Sequence, residues 1–508
     1  MKKIILFSVL LIIIFIEVNA QTVNGDTLSV NGKKILKIWG SHYERGYATG
    51  YLFGDKIKEI SEDYFITVFL GGNSYLYENM RTYFLDNFQI EEKYTSETTG
   101  MINGMIEADV ILYSEILSRD IDANDILLFN AVVDLAALGD FDPNYKFGCS
   151  SLSSWGENTI SDPELSGELV ITRNMDWTPH PTLLENHLLV VHFPSESDEV
   201  NWLSFTFPGF IGGLSAINED GLCAFMNMGN HNEHPNAFTF HPILLSIRNG
   251  IETYDYDGNY EIDSEDILAA IQENYQLSGS IIHSANNESG MIIECNNQNG
   301  IIARDDNNNT VIPSEHLAAT NHFRLLYPPA GCYRYENIAD SLTANSDIDF
   351  LRSWNLLAGA AGVSHNIHTI QYAPSLNLIK WSTAEQGIPA YLQEPTTLDT
   401  EDLFTYNTSA NPQYYSDDNS FLSVSPNPFH DSITLSFALK KTTDVKVNIY
   451  NIKGHKIKKL LNNVFLQGNH NVTWDGIDED GKKVSSGIYF YTLETHYDIY
   501  TKKIIMLK

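Results

Sequence analysis

The chain is short of cysteine and short of positive charge. Cys149, Cys223, Cys295 and Cys332 are its only cysteines in 508 residues, too few for a disulfide scaffold, although an exported chain could pair them as two disulfides. Lys and Arg number 31 against 65 Asp and Glu, a formal charge of −34. Such a surface repels a polyanion, which excludes non-specific nucleic-acid binding. There is no phosphate-cradling glycine loop. Beyond the N-terminus no segment is apolar over the roughly 20 residues a membrane span needs. His231, His234 and His241 lack the helical spacing that zinc uses, and Pro235 follows His234, so they read as loop histidines.

What is present is core material: 43% of residues are hydrophobic and 12% aromatic, which excludes wholesale disorder. At roughly 100–200 residues per domain the length suggests several domains. The charge is unevenly spread. Residues 423–508 hold twelve Lys against eight Asp and Glu, a net of +4, leaving −38 for residues 1–422. The N-terminus joins Met1-Lys2-Lys3 to an apolar run, Ile4–Ile16, broken only by Ser8, and then Glu17-Val18-Asn19-Ala20. A basic start, a short apolar stretch and small residues before the cut describe a signal peptide over residues 1–20, a retained anchor being the alternative.

The last stretch reads as an all-β module. Ser425–Phe429 is turn chemistry, Ser432–Phe437 is strand-like, and Val445, Val447 and Ile449 alternate with polar residues. Asn451–Gly454 reads as a hairpin turn and Gly487–Tyr491 as another strand. These features, with Val472–Gly476, Ser486–Tyr489 and the terminal Lys502–Ile505, resemble the C-terminal sorting modules of the type IX secretion system. The resemblance implies a small Ig-like sandwich over 423–508, contact with that secretion machinery, and a protein secreted or held at the cell surface. Thr400–Ser420, rich in Asp, Asn, Ser, Thr and Tyr, has no period, and a linker is expected over 396–422.

Between them lies the acidic body. Tyr43-Glu44-Arg45-Gly46 with Gly50 reads as a turn opening a helix, Met101–Leu138 as largely helical through Ile102, Met105, Ile106, Val110 and Ile111, and Glu168–Thr172 as a strand ending in Arg173-Asn174-Met175-Asp176-Trp177. Phe147-Gly148-Cys149-Ser150-Ser151 interrupts this with small residues. A thiol needs a base or cation to act as a nucleophile, because its ordinary pKa near 8.5 leaves little thiolate at neutral pH. Cutting before Cys149 would make its own α-amine that base. In isolation Cys149 would read as a core thiol, and Arg173 with Asp176 as an ion pair closing a strand.

Four blocks in order resemble the N-terminal nucleophile hydrolases of the cysteine-type penicillin acyltransferase-like and choloylglycine hydrolase-like group: Tyr43–Gly46 with Gly50, Gly148–Ser151, Arg173–Trp177, and Ala319-Thr320-Asn321-His322-Phe323. Asn218–Leu222 leading to Asn227 is a fifth. The resemblance implies an α/β (α+β) body, a four-layer αββα sandwich, with residues 21–148 as small subunit and 149–395 as catalytic region. It implies self-cleavage between Gly148 and Cys149, with the subunits staying associated. Cys149 would be the nucleophile, Arg173 would favour its thiolate, and Asp176 would orient the new α-amine. Asn227 and Asn321 would donate to the oxyanion, and Arg334 would be a second cation near the sulfur. The substrate would be a small N-acylated amide such as an N-acyl amino acid, bile salt, β-lactam or ceramide-like compound, hydrolysed or transferred to an amine without a catalytic cofactor. A non-catalytic exported binder is the alternative.

One motif stands apart. Asp255, Asp257, Asn259, Glu261, Asp263 and Asp266 occupy a 12-residue stretch with Ile262 at position 8. The pattern resembles an EF-hand or dockerin loop followed by a helix over Ile267–Tyr275, and implies a structural calcium. It departs from that pattern at position 6, Tyr260 for glycine, and at position 12, Asp for Glu.

Overall fold

The computed structural model describes residues 21–508 apart from 136–147, 230–238, 309–310, 330, 386, 406–419, 426–428, 431, 440–442, 452–454, 467, 480, 495–498 and 508. The expected signal segment, His231, His234, the Pro426–Pro428 turn, the Ile452–Gly454 turn and most of the expected linker therefore lie outside the described residues.

The body opens with a hairpin, β1 (Gly25–Val30) and β2 (Lys33–Gly40), turned by Asn31 and Gly32 at φ 50° and 76°. Helix α1 (His42–Glu59) begins on a capping box: the Ser41 side chain accepts the Glu44 N–H, and the Glu44 carboxylate accepts the Ser41 N–H at 2.8 Å. A π-helical segment (Ile60–Phe69), α2 (Ser74–Asn87) and α3 (Glu92–Glu107) follow. Helices α1 and α3 pack backbone on backbone. A Cβ at Gly46 would lie 1.8 Å from the Glu97 carbonyl oxygen, and one at Gly50 1.9 Å from that of Met101. Gly100 and Gly104 make the reciprocal fit against Tyr43 and Tyr47, so the glycine spacing sets a helix contact.

The expected helix over Met101–Leu138 is interrupted. It stops at Glu107 because Asp109 takes a left-handed φ of 57°, which puts Val110 and Ile111 beyond it. Short strands β3 (Tyr113–Ser114) and β4 (Arg119–Asp120) and helices α4 (Ala123–Asn130) and α5 (Val132–Leu135) complete the segment.

Next come β5 (Gly148–Ser154), β6 (Val170–Asp176), α6 (Pro181–Glu185), β7 (Leu188–Pro194), β8 (Trp202–Thr206), β9 (Ser215–Asn218) and β10 (Cys223–Met228). Helices α7 (Ile243–Glu252) and α8 (Ser264–Gln272) lead to β11 (Ser280–Ala285), β12 (Gly290–Asn296), β13 (Gly300–Arg304) and β14 (His316–Ala319). The body closes with α9 (Tyr333–Ala344), α10 (Phe350–Ala361), β15 (Asn366–Ala373), β16 (Leu378–Thr383), β17 (Thr396–Asp399) and α11 (Thr400–Phe404). Pairing of β17 with β16 carries the body past residue 395, into the expected linker.

Nine strands form one sheet, β1-β2-β7-β8-β9-β10-β11-β12-β13, and six form another, β14-β5-β6-β15-β16-β17. Leu189, Leu203, Phe205 and Phe225 of the first meet Ile171, Ile370, Ile379 and Trp381 of the second in one buried cluster. The opposite face of the large sheet, through Trp202, Ala224 and Ile282, packs on Tyr77, Leu128, Ile247 and Ile271 of the helices. The opposite face of the small sheet, through Leu152, Val170 and Ala318, packs on Ile338, Leu342 and Leu357. The layer order is αββα, as expected. Both β1–β2 and α1–α5 come from residues 21–148, so that segment builds part of the sandwich. All four cysteines are buried and free, so no disulfide forms. Cys223 belongs to the core between the sheets and Cys295 to the helix-side core, on opposite faces of one sheet.

A buried ion network ties α1, α3 and α7 together. His42 Nδ1 and Nε2 each lie 2.7 Å from a carboxylate, Glu97 and Glu199. Arg248 bonds Glu97 and Glu252, both at 2.7 Å, and sits between the Tyr94 and Trp202 rings. Lys93 reaches Glu252 at 2.8 Å and Arg45 reaches Glu199 at 3.0 Å. The two carboxylates that lie beside His42, Glu199 and Glu252, are thus already paired with Arg45, Lys93 and Arg248.

The C-terminal module is a seven-stranded sandwich. One sheet runs β18 (Ser420–Ser425), β19 (Ile433–Leu439), β22 (Gly468–Trp474) and the other β21 (Lys456–Phe465), β20 (Thr443–Asn451), β23 (Gly487–Glu494), β24 (Ile499–Met506). Phe429, Leu435, Val447, Trp474, Tyr491 and Ile504 form its own core. Among the described residues no helix is long and apolar enough to cross a membrane.

A candidate active site at Cys149

Strand alternation decides which way each side chain points. On β5, Ser151 and Ser153 bond the two nitrogens of His283 on the large sheet at 2.8 and 2.9 Å, while Leu152 joins the core under α9 and α10. Cys149 shares the parity of Ser151 and so faces the inter-sheet space. Its antiparallel neighbour β6 pairs Gly148 with Asp176, Cys149 with Met175 and Ser151 with Arg173. Arg173 therefore points into the same space. Its Nη2 lies 3.7 Å from Cys149 Sγ and donates at 2.7 Å to the Met226 carbonyl on β10.

Arg334 and Asn321 converge from the far side. Arg334 Nη1 donates to the Cys149 carbonyl at 2.9 Å and lies 3.3 Å from Asp176 Oδ2, while its Nη2 reaches Asn321 Oδ1 at 2.5 Å. Asn321 Oδ1 also accepts the Cys149 backbone N–H at 2.9 Å. A guanidinium can only donate, which fixes the Asn321 amide orientation. Its Nδ2 donates to the Met228 carbonyl at 2.7 Å. In this uncut chain Asn321 thus holds the main chain at Cys149, with one of its two N–H groups on the Met228 carbonyl.

Asn227 is different. It lies on β10 with the parity of Phe225, facing the inter-sheet space, next to the residue whose carbonyl holds Arg173. It is fully buried, yet neither its Oδ1 nor its Nδ2 has a hydrogen-bond partner. A buried amide without protein partners is costly unless a water, a ligand or a reacting atom satisfies it. Gly148 is fitted to the site as well: a Cβ there would lie 3.1 Å from Asp176 Oδ2 and 3.2 Å from Arg334 Nη1.

The electrostatics follow from burial. Loss of water pushes the Cys149 thiol up, opposed by the Arg173 charge, reinforced by the Asp176 carboxylate, and opposed again by the Asp176 N–H and by Arg334. Burial likewise pushes Asp176 up to about 6 against Arg334, Asn366 and Arg173. A new ammonium at Cys149 would lower both.

Some residues around the site were missed from sequence. Asn366 Nδ2 donates to Asp176 Oδ1 at 3.1 Å, and His368 Nε2 lies 2.7 Å from Arg173 Nη1. Buried Glu294 accepts the backbone N–H groups of Arg324, Leu325 and Leu326 at 2.9–3.0 Å, fixing the loop just after Asn321. For Asn366 and His368 the available signal was a stretch dense in polar residues between isoleucines, Asn366-Ile367-His368-Thr369-Ile370-Gln371.

The acidic loop is partly convergent. Asp255, Asp257 and Asp266 bring carboxylate oxygens within 4.8 Å of one another. Tyr260, at the position where glycine was expected, takes φ 72° and donates its N–H to Asp255 Oδ1 at 3.0 Å. Asn259 Oδ1 accepts the Glu261 N–H, Asp263 caps α8, and Asp266 accepts the Asp257 and Asp263 N–H groups. Glu261 and Asp263 are outside the carboxylate cluster. Three converging carboxylates on a left-handed turn fit a hard cation. The following helix is α8, as expected. His241 bonds Ser246 and Glu91, each at 2.7 Å.

Residues 423–507 match the family model described as the secretion system C-terminal sorting domain. The chain is thereby addressed to the type IX route, for secretion or for the cell surface. Protein dcd1B of Dictyostelium discoideum is 25% identical over 243 residues, 44% of this chain and 46% of the relative, so the chain spans about half the length of the curated relative it matches. Among solved structures, a Caenorhabditis elegans N-acylethanolamine-hydrolyzing acid amidase ortholog aligns at 14% identity and TM-score 0.34, over 49% of this chain and 100% of that one. Penicillin V acylase from Agrobacterium tumefaciens aligns at 10% identity and TM-score 0.32, over 50% and 86%.

Proposed function

We propose that the body is a self-cleaving cysteine hydrolase of small N-acylated amides. The observation that carries this reading is the grip on one residue: Arg173 at the Cys149 sulfur, Asn321 on its backbone N–H and Arg334 on its carbonyl. In the first reaction Sγ adds to the Gly148 carbonyl carbon, the Gly148–Cys149 C–N bond breaks, and the nitrogen takes up the thiol proton. Water then hydrolyses the thioester, leaving Cys149 with a free α-amine and thiol. In turnover that amine accepts the thiol proton and the thiolate attacks the substrate carbonyl. Asn227 Nδ2 donates to the oxyanion, and the ammonium protonates the departing amine. Water, or a second amine, releases the acyl group. Asp176 and Asn321 Oδ1 hold the ammonium in place. The 255–266 loop is read as a structural calcium site.

If residues 1–20 are removed, cutting before Cys149 gives pieces of 128 and 360 residues, about 14 and 41 kDa when scaled from 57.2 kDa over 508 residues. A denaturing gel of wild-type protein should show both, with Cys149 as first residue of the larger piece, and Cys149→Ala should stay uncut. A single band for both proteins overturns self-cleavage. Release of amine from N-acyl amino acids, N-acylethanolamines, conjugated bile salts or penicillin V separates a hydrolase from a binder: binding without release in every case overturns the enzymatic reading.

A further inference from the structure

Arg173 is fully buried, and its guanidinium bonds only neutral acceptors: the Met226 carbonyl through Nη2 and His368 Nε2 through Nη1 at 2.7 Å. Because a guanidinium cannot accept, His368 Nε2 must be the acceptor, and the ring proton must sit on Nδ1. That Nδ1 lies 2.8 Å from His187 Nε2, so His187 accepts in turn and carries its own proton on Nδ1, which has no partner. Two neutral imidazoles thus run in one direction towards Arg173. Burial pushes both His368 and His187 far down, His187 to about 3, so neither competes with Arg173 for positive charge. The His187 ring is braced edge-on by Phe207, with centroids 4.7 Å apart.

A β-bulge makes this arrangement compatible with the rest of the site. On β15 the register with β6 shifts between Asn366, opposite Asp176, and His368, opposite Met175. Two residues of β15 therefore span one step of β6, so Asn366 reaches Asp176 while His368 reaches Arg173.

We propose that His368, backed by His187, is a positioning residue that aims the Arg173 guanidinium at Cys149 Sγ and leaves its charge uncompensated for the thiolate. The proposal rests on Cys149 being the nucleophile. A carboxylate at position 368 would hold Arg173 equally well but would cancel the charge the sulfur needs. The imidazole pair holds it without cancelling.

The test is the pH profile of Cys149 alkylation by iodoacetamide on full-length self-processed protein, read at Cys149 by peptide mass spectrometry. His368→Leu should lower alkylation at pH 7 about tenfold, a one-unit rise in thiol pKa. His368→Gln, whose amide oxygen can still accept from Arg173, should lie between Leu and wild type, and His187→Leu should shift the profile the same way by a smaller factor. A purely structural role would lower the melting temperature and leave the profile of the folded fraction unmoved, which overturns the proposal. If His368→Leu does not fold, His368→Gln and His187→Leu decide, and wild-type profiles for both overturn it. If wild-type Cys149 is alkylated no faster than Cys332, the nucleophile reading fails instead.

Discussion

Two buried charged centres lie in one sandwich, and they are built on opposite rules. In the helical network every carboxylate meets a cation: Glu97 meets Arg248 and His42, Glu199 meets Arg45 and His42, and Glu252 meets Arg248 and Lys93. At Cys149 only Arg334 pairs with a carboxylate, Asp176; Arg173 is held by a carbonyl and an imidazole, and Asn227 has no partner. Paired charges lock helices in place, whereas unpaired donors and an uncompensated cation remain available to a developing anion. The network is not perfectly closed, since Arg45 Nε and Nη1 have no partner.

The contrast can be broken from either side. Arg248→Met leaves Glu97 with His42 alone and Glu252 with Lys93 alone, and should cost about 3–5 kcal/mol of stability by chemical denaturation, with the rate per folded molecule near wild type. Asn227→Ala should do the reverse. The barrier should rise by about 2.7–4 kcal/mol, seen as a fall of about 10²–10³ in kcat, with stability within about 1 kcal/mol of wild type. Equal losses of stability in the two variants would erase the distinction.

The centres should also answer pH with opposite sign. Burial raises Asp176 in the uncut chain from its ordinary 3.8 to about 6, so its contribution is full at low pH and is lost as pH rises from about 4 through 6. Melting of uncut Cys149→Ala should therefore fall from pH 4 to 7 relative to Cys149→Ala with Asp176→Asn. Glu97 is held far below the carboxylate range, against burial, by Arg248 and His42, so its contribution is full above about 4.5 and fades in acid. The penalty of Glu97→Gln should shrink below that pH. The smallest effect is expected at the third cluster, where the carboxylates of Asp255, Asp257 and Asp266 converge. Calcium at about 100 times its Kd should add at most about 2.7 kcal/mol, read as a raised melting temperature that Asp257→Asn abolishes.

Legibility differed between the parts of the site. Cys149 was readable because its surroundings are local in the chain: a glycine, small residues and a strand. Arg173 and Asp176 lie three apart on one strand and came with it. Arg334 lies on a different element, and the structure brings it to the Cys149 carbonyl, Asp176 and Asn321 together. Asn321 was found by position, but its observed bonds are those of a main-chain clamp. His368 and Asn366 were missed because a buried polar strand face looks the same whether it serves structure or chemistry. The Gly46–Gly50 and Gly100–Gly104 pairs were equally visible, and only the packed helices show what they fit.

The sequence by itself determined what is local or periodic: the acidic body and basic tail, the strands of the sorting module, and the Gly148-Cys149-Ser150-Ser151 motif on which the proposed cut rests. Tertiary structure alone decided how charge is compensated. Whether a buried Arg meets a carboxylate or an imidazole depends on residues 195 apart being brought within hydrogen-bond distance, as Arg173 and His368 are. Coulomb energies and desolvation depend on distances and burial through space, and separation along the chain fixes neither.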